Sequence, residues 1–560
     1  MTLIILFAPL LFASLVHGTS EESSFRSSSL SSSSAHSVIK SSCSITLYPE
    51  LCYSTLYTTT ITQELTKKDV IELAVNKTKE TIQANFHTIN NLLTPSTYSS
   101  LTKRAQTALR DCLDMTADTL EGLDILIQQL RDYPNKKSLH QQADDLKTIM
   151  STAITYRETC LDDLTYDDDD DASKQSSTLV MEGQDLGGKM CSNILAMIKN
   201  MTDTDIANNS NKVEHVGRRR LKDEVIWPKW LSVVDRKQLW FFGVTPNVIV
   251  AQNGKGNYTT IAAAVAAAPM NSTTKYVIKI TAGVYKENIE IPKHMNNIMF
   301  VGDGRENTII TGNRNVSGGD GMTTTNSATV AVMGERFLAR DITFQNTAGP
   351  SGGQAVALRV NSDLSAFYKC GMDGYQDTLY VVSNRQFYVK CFIIGTVDFI
   401  FGNAAVVFQF CDIHARKPNL GQRNMVTAQG RTDMNQNTGI VIQKCSIDAT
   451  ADLKETKGGF PTYLGRPWKE FSRTVVMQSS ISDIIDSEGW FPWDKEFALD
   501  TLYYREYQNM GPGSDTSKRV KWKGWGVMKS DTEARPFTVS NFINGWTWLL
   551  STGFPFWPIL

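Results

Sequence analysis

The feature that most constrains the fold is a repeat of short strands in the second half of the chain. From about residue 245, β-branched and aromatic runs alternate with Gly, Asn and Asp turns, and helix signals nearly vanish apart from an Ala-rich stretch at 258–268. The cysteines that close four of these runs are 21, 20 and 34 residues apart. A period of about 20 with one short strand per repeat is typical of a parallel β-helix, whose coils stack on one another. The runs are Phe337–Phe344, Phe367–Cys370, Phe387–Cys391, Val407–Cys411, Val441–Cys445 and Val475–Ser479.

Two aspartates occupy equivalent positions in this repeat. Asp377 follows Cys370 by seven residues, and Asp398 follows Cys391 by seven. Residues one period apart in a stacked coil lie on the same face, separated by about 4.8 Å. We therefore expect two carboxylates side by side in adjacent coils.

Two glutamines and one arginine are predicted to lie close to the two carboxylates. Gln376 adjoins Asp377, Gln354 lies 22 residues before Gln376, and Arg466 could reach Asp398. Two close carboxylates cannot both ionise at low cost, so one can stay protonated as an acid. The other, held by a bidentate Arg, can act as base or nucleophile. Because Gln NH₂ groups can stabilise an oxyanion, the set suits attack on an acyl carbon.

Structural interpretations of the same residues stay open at this point. A lone Asp in a β-helix turn usually caps a strand end, although two Asp and two Gln at matching offsets weigh against that interpretation. Nearby aromatic residues can be core or sugar-stacking platforms, and they are Tyr375, Tyr380, Phe399, Phe401 and Trp468. This half shows no Ser-His-Asp set, metal-type His cluster, P-loop or dinucleotide fingerprint.

The first half of the chain has a helical pattern instead. Apolar residues recur at three- and four-residue steps in four stretches between 43 and 205, which predicts an all-α four-helix bundle. The acidic run Asp167–Asp171 predicts a solvated loop between the last two helices. The amino-acid composition of this part does not by itself indicate any activity.

Sequence features at the N-terminus indicate secretion. The apolar run 3–16 is shorter than the roughly 20 residues of a membrane span and predicts a signal peptide at 1–18, although no Lys or Arg precedes it and an uncleaved anchor is the alternative. A Ser-rich lead-in follows at 19–42. No later apolar run is long enough to span a membrane, so we expect a soluble mature protein. Six glycosylation sequons fit secretion: Asn76, Asn200, Asn208, Asn257, Asn271 and Asn315.

A linker at 206–244 separates the two halves. Its basic cluster, Arg218–Leu221, is either a protease site or a solvated segment. The formal charge is −2 overall, which gives no global sign of a nucleic-acid partner, but it divides into −7 for residues 1–221 and +5 for residues 222–560. The charge division and the basic linker together predict that the helical part keeps the second part inactive until cleavage near Leu221.

Nine cysteines in an oxidising compartment should partly pair, and the odd count leaves at least one thiol free or intermolecular. Sequence alone cannot fix the pairing in the first part. We favour Cys43 with Cys52 and Cys112 with Cys160.

Motifs across residues 245–555 resemble the plant pectin methylesterase family. They are Gly283–Glu287, Asp341–Asn346, Gln354–Leu358, Gly374–Tyr380, Gly395–Gly402 and Leu464–Trp468. Residues 43–205 resemble the pectin methylesterase inhibitor domain that precedes the catalytic part in many plant members, through Ala108–Cys112 and the Cys43/Cys52 pair. Arg218–Leu221 resembles the basic processing motif between the two parts, which favours the protease-site interpretation. The implied fold is a right-handed parallel β-helix at 245–560 after a four-helix bundle at 43–205.

The resemblance implies a role for each matching residue. Asp398 would be the nucleophile and Asp377 the proton donor and then base, with Gln376 as oxyanion stabiliser. Substrate contacts are implied for Thr324, Gln354, Arg466 and Trp468, and a disulfide for Cys391 with Cys411. Two residues depart from the family pattern: Thr325 stands where the family commonly has an aromatic residue, and Val382 where it commonly has a His.

The function implied is hydrolysis of methyl esters of homogalacturonan, without a cofactor, by an enzyme secreted to the cell wall. The expected partners are pectin, a processing protease at the linker and inhibitor proteins. A β-helix lyase or glycosidase is one alternative, since glycosidases also use two carboxylates, but the Gln pair favours acyl chemistry. An inactive protein whose helical part inhibits other esterases is another.

Overall fold

The computed structural model of the protein describes residues 35–57, 65–165, 171–213, 245–456 and 458–560. The signal peptide, most of the Ser-rich lead-in, the basic site at 218–221 and residues 167–170 of the acidic run lie outside the described residues. The described chain forms a helical bundle (35–213) and a β-helix (245–560). None of its helices combines the length and apolar character needed to cross a membrane.

Four long helices, preceded by a helical stretch at 35–43, make up the bundle. Each packs its apolar stripe against two of the others, so that α2, α4, α5 and α6 enclose one core. Polar N-cap residues begin α2, α4 and α5. At the start of α2, Thr66 and Asp69 exchange hydrogen bonds in a capping box. The helices of the bundle are α1 (Pro49–Tyr57), α2 (Lys67–Leu92), α3 (Pro95–Tyr98), α4 (Lys103–Asp132), α5 (Leu139–Leu164) and α6 (Asp171–Val213).

Two disulfides fasten the bundle. Cys43 is bonded to Cys52, and Cys112 on α4 to Cys160 on α5. Both pairings confirm the prediction. Cys191 is a buried free thiol, which agrees with the odd cysteine count.

The second part is a parallel β-helix, as predicted. All strand pairs in the described chain are parallel, and the strands lie in three sheets. The first sheet contains β1 (Val248–Val250), β2 (Tyr276–Ile280), β5 (Ile298–Val301), β8 (Leu338–Arg340), β11 (Ser365–Tyr368), β14 (Arg385–Val389), β17 (Ala405–Gln409), β20 (Gly439–Gln443), β23 (Arg473–Met477), β25 (Tyr503–Tyr507) and β26 (Trp525–Val527). The second contains β4 (Ile289–Ile291), β7 (Val330–Val332), β10 (Leu358–Val360), β13 (Leu379–Val381), β16 (Ile400–Gly402), β19 (Asn424–Gln429) and β22 (Thr462–Pro467). The third contains β3 (Gly283–Lys286), β6 (Thr308–Gly312), β9 (Thr343–Asn346), β12 (Gly371–Asp373), β15 (Phe392–Gly395), β18 (Asp412–Ala415), β21 (Ser446–Ala449) and β24 (Ser480–Ile481).

A complete coil therefore has three strands, whereas the sequence pattern predicted one. The strands of the second and third sheets escaped notice because many are only three or four residues long. Short helices flank the coils at α7 (Ile261–Ala266), α8 (Ala451–Lys454), α9 (Asp531–Ala534) and α10 (Val539–Phe542).

The strict register of the coils creates ladders of like residues in the core. Phe367, Tyr388 and Phe408 are register partners in three successive coils. Their rings stack at centroid distances of 4.6 and 4.8 Å, close to the spacing between strands. Aromatic stacking thus helps to fix the register of the central coils.

The predicted disulfide between Cys391 and Cys411 is wrong, because both are buried free thiols. They belong to a second ladder in which each thiol lies near a backbone carbonyl of the preceding coil. Cys391 Sγ is 3.4 Å from Phe367 O, and Cys411 Sγ is 3.5 Å from Tyr388 O. Residues in register on parallel coils point in the same direction, whereas a disulfide needs side chains that turn toward each other.

Candidate active site

Two stacked turns carry the predicted carboxylates. Asp377 precedes β13 and Asp398 precedes β16, and these strands pair with Leu379 beside Ile400. Both aspartates have a left-handed backbone, with φ of 63° and 51°. The N–H of Asp377 donates to the carbonyl oxygen of Val397 at 3.0 Å. The same conformation in successive coils directs both side chains to the same edge of the second sheet.

That edge forms the floor of a cavity of about 320 Å³. The cavity brings together the side chains that the sequence analysis singled out for catalysis and substrate contact. They are Thr324, Gln354, Gln376, Asp377, Asp398, Arg466 and Trp468.

The two carboxylates have different surroundings. Arg466 binds Asp398 with two hydrogen bonds, from Nε to Oδ1 at 2.8 Å and from Nη2 to Oδ2 at 2.5 Å. Burial raises the pKa of Asp398, and Arg466 opposes that shift. Burial, followed by the charge of Asp398, raises the pKa of Asp377 well above its ordinary value. The arrangement favours an ionised Asp398 beside a protonated Asp377.

The two glutamines lie at equivalent positions of successive coils. The N–H of Ala355 donates to the carbonyl of Gln376 at 3.2 Å, in the same pattern by which the N–H of Asp377 donates to the carbonyl of Val397 one coil further on. In a parallel pair this bond places Ala355 beside Asp377, and therefore Gln354 beside Gln376. Both side chains line the cavity.

Aromatic side chains form one wall of the cavity. Tyr380 and Phe401 stack at 4.1 Å, and the Trp468 ring lies 5.9 Å from Phe401. Trp493 was not predicted from the sequence; its side chain is 37% exposed and lies under the guanidinium of Arg466 at 4.3 Å. It belongs to a loop outside the strand repeat, so the periodic pattern carried no signal for it.

The helical bundle also contributes to this cavity, through the end of α5. Its side chains Thr159, Asp162, Asp163 and Thr165 line the cavity opposite the two carboxylates. Asp163 accepts a hydrogen bond from Thr325 Oγ1 at 2.8 Å. These residues were not predicted from the sequence, although Asp162 and Asp163 are two adjacent aspartates at a helix end.

Further contacts extend the interface around the cavity. Asp111 on α4 accepts hydrogen bonds from Thr323 Oγ1 at 2.8 Å and from Asn326 Nδ2 at 2.7 Å. Arg385 Nη1 lies 2.8 Å from Oδ1 of Asp145 on α5, and both side chains are buried. Acidic groups of the bundle thus meet donors and cations of the β-helix, in agreement with the opposite charges of the two parts.

A loop between β19 and β20 completes the interface. Gln436 donates to the carbonyl of Ser151 at 3.0 Å, and Asp433 accepts from Ser192 Oγ at 2.5 Å. This loop lies within the 34-residue cysteine interval that interrupts the coil repeat. Part of the additional length of this interval therefore contacts the bundle.

Comparison with known proteins assigns the chain to a family. The model of the family described as Pectinesterase matches residues 247–546, which is more than half of the 560 residues. The chain belongs to the pectinesterase family. It is accordingly an enzyme of the carboxylic ester hydrolase class. A second family model, Plant invertase/pectin methylesterase inhibitor, matches residues 37–197.

Several pectinesterases resemble nearly the whole chain. Pectinesterase 2 of Arabidopsis thaliana is 57% identical over 94% of this chain and 90% of its own length. Pectinesterase/pectinesterase inhibitor 3 of the same plant is 56% identical over 98% of this chain and 95% of its own. These relatives and the family models confirm the resemblance inferred from the motifs.

A solved pectinesterase structure matches the β-helix. Pectin methylesterase from carrot is 66% identical, covers 57% of this chain and 100% of its own, and superposes with a TM-score of 0.56. The carrot polypeptide thus corresponds to the β-helix part of this chain, and its solved structure is that of a folded protein without a helical bundle.

Proposed function

We propose that the β-helix hydrolyses methyl esters of homogalacturonan, giving galacturonate carboxylates and methanol. The observation that carries the proposal is the Arg466–Asp398 pair beside a carboxyl group, Asp377, whose pKa is raised. A nucleophile that is held ionised and a neighbouring proton donor are the two groups that ester cleavage needs. The pectinesterase relatives and the position of both Gln side chains in the cavity support the same reaction.

The proposed first step forms an acyl-enzyme. An oxygen of Asp398 attacks the ester carbonyl carbon, and the carbonyl oxygen becomes an oxyanion that accepts hydrogen bonds from Gln376, with Gln354 nearby. The oxyanion collapses, the bond to the methoxy group breaks, and Asp377 gives that oxygen its proton to release methanol. Arg466 orients Asp398, and the Trp468 face can support a sugar ring.

In the second step water regenerates the enzyme. Asp377, now ionised, takes a proton from a water molecule while the water oxygen attacks the acyl carbon. The bond to Asp398 breaks, Asp398 leaves as a carboxylate, and the product acid forms. Asp377 ends the cycle protonated, as it began.

The test is methanol release from methyl-esterified pectin by the β-helix separated from the bundle. Asp398→Ala and Asp377→Ala should each reduce kcat by at least about a hundredfold, the scale seen when an acid–base group is lost. The proposal fails if both variants release methanol as fast as the parent. Chain shortening or unsaturated ends in the products would instead favour a glycosidase or lyase.

We further propose that the helical bundle inhibits the enzyme until the linker is cleaved near Leu221. The contacts of Asp163 with Thr325 and of Thr159 with Tyr380, at 2.8 and 3.3 Å, support this, since they cross the cavity that a polymer would have to enter. Equal rates from uncleaved and cleaved chain would contradict it. Secretion to the cell wall, cleavage by a processing protease and recognition by inhibitor proteins complete the proposal.

A further inference from the structure

Lys469 holds a carboxylate of the bundle beside the proposed active site. It follows Trp468, and its Nζ lies 2.5 Å from Oδ1 of Asp162 and 3.5 Å from Oε2 of Glu158. The Lys469 side chain is 19% exposed, and the ammonium lies 5.3 Å from the Trp468 ring. Asp162 in turn lines the cavity that contains Asp377. The β-helix therefore has a cation, Lys469, at the edge of the cavity. In the docked chain this cation is already paired with a carboxylate of the bundle.

We propose that Lys469 binds the free carboxylate of a galacturonate unit next to the unit being hydrolysed, and that Asp162 takes the place of that carboxylate while the bundle is docked. The inference rests on the proposed function. A methyl ester is neutral and cannot form an ion pair with an ammonium group, whereas its hydrolysed form can. The charge of Arg466 is paired within the β-helix, through Nε and Nη2 on Asp398, whereas Lys469 is paired by carboxylates of the bundle and loses them when the bundle leaves.

The topology places Lys469 away from the reacting atoms. Lys469 follows the end of β22, which pairs with β19, and β19 pairs with β16. Two coil spacings, roughly 10 Å, therefore separate the coil of Lys469 from that of Asp398 along the β-helix axis. Trp468 adjoins Lys469 and can pack against the sugar that it binds. The reacting unit would be a neutral ester, and its neighbour in the direction of β22 an acid.

The state of Asp162 agrees with this assignment. Burial raises the pKa of Asp162 to about 6, and Lys469 is the strongest influence that lowers it. The Oδ2 atom of Asp162 has no hydrogen-bond partner within the described chain. Lys469 is thus the group that offsets the cost of a carboxylate at this edge, and the fit of Asp162 is incomplete. A sugar carboxylate could replace it once the bundle has left.

The experiment compares two substrates for the β-helix after its separation from the bundle. One is fully methyl-esterified homogalacturonan, and the other is the same polymer partly de-esterified with alkali. Lys469→Gln should lose about tenfold in kcat/KM on the partly de-esterified polymer, through KM, because a charged hydrogen bond made equally in the ground and transition states is lost. Its kcat/KM on the fully esterified polymer should not change. Lys469→Arg should retain most of the activity on both.

A matched control is Lys286→Gln, which removes the positive charge of an exposed side chain on strand β3, in another sheet. It should change neither value. Inhibition by fully de-esterified galacturonate oligomers gives a second measurement, in which Lys469→Gln should bind about tenfold more weakly. Equal losses on both substrates, or unchanged inhibition by the oligomers, would overturn the inference. If the parent released no methanol from either substrate, the proposed function would fail and take this inference with it.

Discussion

Docking of the bundle should depend on pH through Asp111. Burial raises the pKa of this carboxyl to about 6, although Asn326, Thr323 and Arg359 all lower it. Release of the bundle would return the pKa to its ordinary value of about 4. A pKa that is higher in the docked state means that docking takes up a proton. The stabilising effect of protonated Asp111 on docking is thus fully present below pH about 4, and it is lost as the pH rises through about 6.

The size of the effect follows from the two pKa values. With values of about 4 and about 6, one group makes docking about tenfold tighter at pH 5 than at pH 7. Solvent screening lowers this factor because Asp111 is partly exposed, so the expected effect lies between about threefold and the unscreened tenfold. Asp163 faces the same interface and its pKa is also raised by burial, with the charge of Asp111 adding to the shift. The complete chain should therefore show a steeper pH dependence than Asp111 alone provides.

The assay is the ratio of methanol release by uncleaved and cleaved chain at pH 5, 6 and 7. This ratio removes the pH dependence of the chemical steps. It should rise with pH in the parent, and in Asp111→Asn, which is neutral at every pH, the rise should shrink by about three- to tenfold. Asp124→Asn is the matched control, because Asp124 lies on the same helix but is exposed and paired with Lys79 of the bundle. A ratio independent of pH, or the same slope in Asp111→Asn and parent, would refute the reasoning.

Three other predictions concern the site, the interface and the core. Arg466→Lys keeps the positive charge but loses the bidentate geometry, so kcat should fall about tenfold or more. The acid limb of the kcat–pH profile should also move to higher pH, because the pKa of Asp398 rises. An unchanged profile would contradict this. Asp145→Ala removes a buried carboxylate from the interface and should cost docking about 1.5–3 kcal/mol, so that the uncleaved chain becomes at least about tenfold more active while the cleaved chain does not change. Phe408→Ala should destabilise the β-helix by about 3–5 kcal/mol in denaturant unfolding, and far more than the same change at the exposed Phe410; equal losses would show that the ring ladder does not stabilise the coils.

The coil repeat illustrates how much a local pattern can predict. Each coil packs mainly on its neighbours, so the spacing of Cys370, Cys391 and Cys411 fixes which residues are stacked. From that spacing followed the common face of Asp377 and Asp398. The four helices of the bundle could equally be predicted from the sequence, because the periodicity of their apolar residues is also a local pattern.

Other features depended on the tertiary structure. The three-strand coil and the free thiol of Cys391 both arise from how short segments turn and stack, which spacing alone does not encode. Trp493 reaches the cavity from a loop outside the repeat.

The sequence by itself determined the coil and helix patterns, the alignment of the two aspartates and the opposite charges of the two parts. Only the tertiary structure decided that α5 directs Asp162 and Asp163 into the cavity and that Lys469 receives one of them. The physical reason is the range of the interactions. Periodic packing depends on residues that are close together in the sequence. Docking instead brings together surfaces whose residues are about 300 positions apart in the sequence and share no repeat.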